Sequence, residues 1–146
     1  MEKNTNRVNE SNENGLKKYC AEALIPLVII LKYKDLKTLA PQTILNGFEK
    51  IQEFVDPFKM KQKQLDVITT SQLRNIHSLL RKKSTVQELL LCRPRLAYIA
   101  ARENKHSPIA CILDSLITKT TQKNYKNFDY LLESIVAYHR FYNSEK

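Results

Sequence analysis

Glycine is scarce: Gly15 and Gly47 are the only two in 146 residues. Hairpin turns and phosphate-cradling loops need glycine where the backbone turns left-handed or comes close to a ligand. The chain therefore has little material for a β-meander or a nucleotide-binding loop, and no GxGxxG or P-loop string occurs. Tryptophan is absent. Cysteine is sparse as well: Cys20, Cys92 and Cys111 are odd in number and form no CxxC, which argues against a disulfide framework and a zinc ribbon. Each lies among apolar neighbours, as a small core residue does, and a reducing cytoplasm suits them. Long apolar runs are missing too. The most apolar stretch, ALIPLVIIL at 23–31, is too short to span a bilayer and contains Pro26. It reads as a buried helix with a kink rather than a membrane segment. No signal peptide is visible. Residues 1–14, MEKNTNRVNESNEN, are polar and Asn-rich and read as a flexible tail ahead of a single domain over 15–146.

The groups that catalysis needs are equally thin. A hydrolase requires a nucleophile held by a base, or a metal with at least three protein ligands. His77, His106 and His139 do not pair with another His or Cys at ligand spacing. His77 and His139 fall at the edges of apolar helical faces and read as structural. His106 stands in a loop beside Lys105, within reach of a phosphate. Asp35, Asp56, Asp66, Asp114 and Asp129 are scattered, and Glu103 sits where it can pair with a cation. No metal site, cofactor or enzymatic activity is expected.

What the chain has in quantity is helical periodicity and positive charge. Apolar residues recur at helical spacing almost throughout, so the chain reads as all-α: a single-domain bundle of five or six helices. The first helix is expected over Leu16–Lys34, central in the core because its apolar stripe is wide. Pro41 opens a second helix, with Ile44, Phe48, Ile51 and Val55 in one stripe and Asp56-Pro57 ending it. Residues 58–68 read as a loop or short helix. A third helix follows from a cap at Thr69, Thr70 or Ser71, fading near Ser84. Val86, Leu89 and Leu90 form the next apolar face, which Pro94 interrupts before RLAYIAARE. Ser107-Pro108 starts a short amphipathic helix, and the last helix runs over Tyr125–Tyr142 with Phe128, Leu132, Ile135, His139 and Tyr142 on one face.

The formal net charge is +9, with a sequence pI of about 9.5. Repulsion on that scale points to an anionic partner. Between Lys59 and Lys83, seven cations (Lys59, Lys61, Lys63, Arg74, Arg81, Lys82, Lys83) stand against one acid, Asp66. Arg93, Arg95, Arg102 and Lys105 form a second cluster. If the third helix and RLAYIAARE pack side by side, both clusters line one surface. Arg grips phosphate oxygens with a planar fork, and such contacts hold a strand without reading its sequence. Most aromatics occupy core positions, with Tyr98 and Tyr125 the candidates for exposure, so backbone binding is expected. Two other uses of the charge are a solvated face and an adaptor surface for an acidic protein.

Three segments occur in order: TTSQLRNIHSLL at 69–80, RLAYIAARE at 95–103 and LLESIVAYHRFY at 131–142. Together they resemble the small subunit of type III-A CRISPR effector complexes, the Csm-type interference assemblies. In that family a Thr or Ser cap opens a helix with an L-R-N core. A helix ending in A-x-R-E follows, and the terminal helix has the form E-x-[aliphatic]-V-A-Y-x-[basic]-F-Y. The likeness covers about the C-terminal half. Residues 36–68 are longer than the family's usual link, and Asn143 rather than glycine follows the final Phe-Tyr. The resemblance implies a non-catalytic, all-helical cytoplasmic subunit. Several copies stack head to tail along the guide RNA and target RNA, against the repeated backbone subunits and the large subunit. The resemblance and the charge reading together nominate Lys63, Arg74, Arg81, Lys82, Lys83, Arg95, Arg102 and Lys105 for RNA contact.

Overall fold

The computed structural model describes the backbone of residues 2–103 and 106–144, and the side chains of 15–102 and 106–144. Among these residues there is no strand, as the pattern predicts, but there are more helices than five or six. They are α1 (Glu2–Lys32), a 3-10 turn (Leu36–Thr38), α2 (Pro41–Val55), α3 (Pro57–Gln62), α4 (Thr70–Leu80), α5 (Val86–Leu91), α6 (Arg93–Glu103), α7 (Pro108–Thr118) and α8 (Tyr125–Asn143). The surplus comes from α3, which takes up the first part of the 58–68 link, and from the division of one expected helix into α5 and α6. Pro94 does not break a helix from within; it stands at the second residue of α6, where its missing N–H has no partner to lose. The expected start of α1 at Leu16 also differs: the helical backbone continues back to Glu2. The side chains of residues 1–14, the expected flexible tail, lie outside the described residues.

Local chemistry accounts for the boundaries. Thr69 forms a full capping box, its Oγ1 accepting from the Gln72 amide at 3.1 Å while its own amide donates to Gln72 Oε1 at 2.9 Å. A cap of this kind stabilises a helix by about 1 kcal/mol. Thr85 caps α5 and Ser107 caps α7, whose first residue is Pro108. Asp56 ends α2 and then caps α3 by accepting from the Phe58 amide at 3.0 Å. Two asparagines of α8 tie down the C-terminal carbonyls of other helices. Asn127 Nδ2 donates to Leu31 at 3.0 Å and Tyr33 at 2.7 Å, and Asn143 Nδ2 to Val55 at 2.9 Å.

The centre of the bundle is α7, not α1. Pro108, Ile109, Ala110, Ile112, Leu113, Leu116 and Ile117 are all buried, and α7 packs against α1, α2, α5, α6 and α8. The short amphipathic helix expected there is present, with Asp114, Ser115 and Thr118 on one narrow stripe and the wider apolar face enclosed. Helix α1 buries Ala23, Leu27, Ile30 and Leu31 but leaves Ile25 and Ile29 at the surface, 65% and 47% exposed. Its apolar run is wider than the neighbours available to cover it. At Gly47 the missing side chain lets α2 close on α1, because a Cβ there would collide with Ile30 Cδ1.

Helix α4 lies between α6 and α8, antiparallel to both. At one end the Asp66 amide donates to the His106 carbonyl at 3.1 Å, beyond the end of α6, and at the other the Cys92 thiol meets the Leu79 carbonyl at 3.6 Å. Toward α8, His77 Nε2 meets Glu133 Oε1 at 2.8 Å and His139 Nε2 donates to the Ile68 carbonyl at 2.7 Å. The apolar side of α4 (Leu73, Ile76, Leu80) turns inward. The row α6–α4–α8 therefore presents the outer face of α4 as its ridge.

Candidate nucleic-acid interface

The outer face of α4 carries Ser71, Arg74, Asn75, Ser78 and, at its C-cap, Arg81, all exposed. Seven residues apart, Arg74 and Arg81 stand about 20° from each other around the axis, so they form one stripe. His77 is adjacent to that stripe and reaches α8, which sets the stripe on the α8 side of the ridge. Arg74 indeed shares a narrow groove with Thr70, His77, Val136 and Arg140. The groove opens past Thr69, Thr70, Arg140 and Asn143 into a depression of about 550 Å³ whose rim includes Lys61 and Asp66. The result is a trough over the N-terminal end of α4 and the C-terminal end of α8. Cations (Lys61, Arg74, Arg140) and small polar groups (Thr69, Thr70, Ser71, Asn143) line it.

Helix α6 supplies the second set. Arg93 is committed elsewhere: its Nε donates to Asp114 Oδ1 at 2.8 Å and its Nη2 to Oδ2 at 3.2 Å, a two-pronged pair with α7. That hydrogen-bonded carboxylate raises the guanidinium pKa. At 100° per residue, Arg95 lies about 160° and Arg102 about 180° around α6 from Arg93. Both are exposed and face away from α7. The two helices do pack side by side, as the sequence reading required, but Arg74 leans to α8 and leaves Ser71, Asn75 and Ser78 between the two arginine sets.

The remaining nominees are less uniform. Arg81, Lys82 and Lys83 turn the chain after α4; Lys82 has φ 53, the left-handed region, and Lys83 is half-buried. Lys63 sits 5.6 Å from the centre of the Tyr19 ring, beside the Tyr19 hydroxyl that donates to Glu53 at 2.8 Å. Burial works to raise the Glu53 pKa, but the Tyr19 hydrogen bond, Lys50 and Lys63 outweigh it and hold the carboxyl below its ordinary value. Lys63 thus has an aromatic and a carboxylate for company, away from Arg74. Lys105 and the side chain of Glu103, with its expected ion pair, lie outside the described residues.

Among the described residues Lys50–Glu53 and Arg93–Asp114 are ion pairs and His77 hydrogen-bonds Glu133, so no carboxylate among them holds Arg74, Arg81, Arg95 or Arg140. No cluster of His, Cys, Asp or Glu there can hold a metal. His139 is a buried structural group whose pKa burial depresses, with the Ile68 carbonyl pulling the other way. Tyr98 is 56% exposed, as the sequence allowed, whereas Tyr125 is buried. Among the described residues, no helix is long and apolar enough to cross a membrane. Two cations of the trough escaped the sequence reading. Lys61 belongs to the basic run between Lys59 and Lys83. Arg140 is the basic residue of the AYHRFY segment, four past Val136, so both motif and spacing marked it.

A family model described as Csm2 Type III-A matches residues 48–145, which include the whole of the trough and the α6 arginines. No curated protein and no solved structure matches the chain.

Proposed function

Since the chain belongs to the Csm2 family, the non-catalytic small subunit of type III-A CRISPR effector complexes, we propose that it holds the RNA of that complex by its phosphate backbone. The observation that carries this is the set of exposed cations along the α6–α4–α8 face, none of them paired with a carboxylate among the described residues: Arg95 and Arg102, Arg74 and Arg81, and Arg140 with Lys61. Lys82 and Lys83 extend the face at the turn. Guanidinium forks and hydroxyl donors on rigid helices suit phosphate oxygens, and nothing along the trough is a base-specific pair. Such a grip is blind to sequence, which is what a complex needs when guide–target pairing carries the specificity.

Several copies stack head to tail along guide and target RNA, beside the repeated backbone subunits and the large subunit in the cytoplasm. Contact between unlike patches does not close on itself, so it can follow a strand. Each copy needs only modest affinity, because copies on one strand reinforce one another through effective concentration. Co-expression with the other subunits and a guide tests this. The chain should co-purify with them and the RNA, and the isolated protein should bind single-stranded RNA at low salt. A chain that joins the complex but shows no RNA affinity alone or assembled would overturn the backbone grip.

A further inference from the structure

The exposed ring of Tyr98 has no place in a pure phosphate grip. It stands on α6 between Arg95, three residues before, and Arg102, four after. Those offsets put Arg95 about 4.5 Å and Arg102 about 6 Å away along the axis, on either side of the ring. Around the axis Tyr98 is about 60° from Arg95 and 40° from Arg102, so all three share one outward quarter of the helix. The buried face of α6 is made by Leu96, with Cys92 before it and Ile99 and Ala100 beside it, and does not use Tyr98. The ring is nevertheless held: Arg102 Nη1 lies 3.5 Å from the Tyr98 hydroxyl, close enough to limit the ring's swing. An amphipathic ring exposed for 56% of its surface and bracketed by two cations that pair with no carboxylate among the described residues has the composition of a single-strand stacking site.

We propose that Tyr98 is a stacking platform for an unpaired nucleobase of the bound RNA, with Arg95 and Arg102 holding the phosphates on either side of that base. This rests on the RNA reading above and adds to it a contact with the base face. Every base has a π-face, so the contact raises affinity for single strands without selecting sequence. It also distinguishes unpaired from paired RNA, because a base inside a duplex cannot offer its face.

The test compares an oligoadenylate with an abasic ribose-phosphate strand of equal length at low salt, on the full chain. The wild type should bind the oligoadenylate at least about fivefold more tightly, the low end of what one base–aromatic stack contributes. Tyr98→Phe, which keeps the ring, should retain that preference. Tyr98→Ala should bind both strands equally, at the abasic level, with helicity unchanged by circular dichroism because the residue is outside the core. Equal wild-type binding of the two strands, or a preference that survives Tyr98→Ala, overturns the stacking site and leaves the phosphate grip standing. Failure of both strands to bind overturns the RNA reading itself, and the stacking site with it.

Discussion

Arg74 and Arg140 face one another across the α4–α8 groove, and removing both charges should change the salt dependence of RNA binding by a calculable amount. Single-stranded RNA releases counterions as phosphates are neutralised, with a slope of about −0.7 per phosphate in log affinity against log salt. Taking Lys61, Arg74, Arg81 and Arg140 as one contact each gives a slope of about −2.8, or roughly a 50-fold loss between 50 and 200 mM salt. In Arg74→Gln/Arg140→Gln two contacts remain, the slope becomes about −1.4, and the loss over the same range falls to roughly sevenfold. If Arg95 and Arg102 also engage the strand, both slopes steepen together, and their difference of about 1.4 stays the same. Fluorescence anisotropy on a labelled oligonucleotide across a salt series reads that difference directly. Both side chains are exposed and outside every ion pair among the described residues, so the fold should be unaffected. An unchanged slope in a fully helical double variant would refute the assignment of the trough.

Two further outcomes follow from the same placements. Burial lowers the pKa of His139 from its ordinary 6.5, so the unfolded chain takes up the proton first. The stability this neutral ring contributes is present above about pH 6.5 and lost as pH falls below it; urea midpoints at pH 7.5 and 5.5 should differ in that direction, and His139→Gln should flatten the difference. Arg93→Gln should leave RNA affinity nearly unchanged, because the side chain is turned to Asp114 on the far flank of α6; a loss as large as that of Arg74→Gln would show that the face has been drawn around the wrong side of the helix.

Much of the helical framework was legible because its signals are local. A hydroxyl cap among Thr69, Thr70 and Ser71, Ser107 with Pro108, Pro41 and Asp56-Pro57 each act within one turn, and all of them mark real boundaries. The order of burial was not legible for the opposite reason. On paper, ALIPLVIIL looks more buried than CILDSLIT, which carries an aspartate and two hydroxyls. Burial is decided by how many neighbours a helix has, and α7 is enclosed by five while Ile25 and Ile29 of α1 face solvent. Hydrophobicity states what a residue would gain from a neighbour, not whether one is there.

The same distinction governs the candidate site. A charge count treats Arg93 and Arg95 alike, yet a carboxylate 21 positions further along the chain removes Arg93, and a ring 44 positions earlier takes Lys63. Helical periodicity could pair Arg74 with Arg81 because they share an axis, but it could not say which neighbouring helix their stripe would meet. That helix is α8, and the partner it brings is Arg140, which follows the buried His139 on the same helix. A face that binds a polyanion is defined by the cations left without carboxylates once the helices have packed. This face keeps its arginines while His77 engages Glu133, one acid exposed on the same side. On the proposed reading Glu133 would otherwise stand bare beside the strand, and the His77 hydrogen bond occupies that acid.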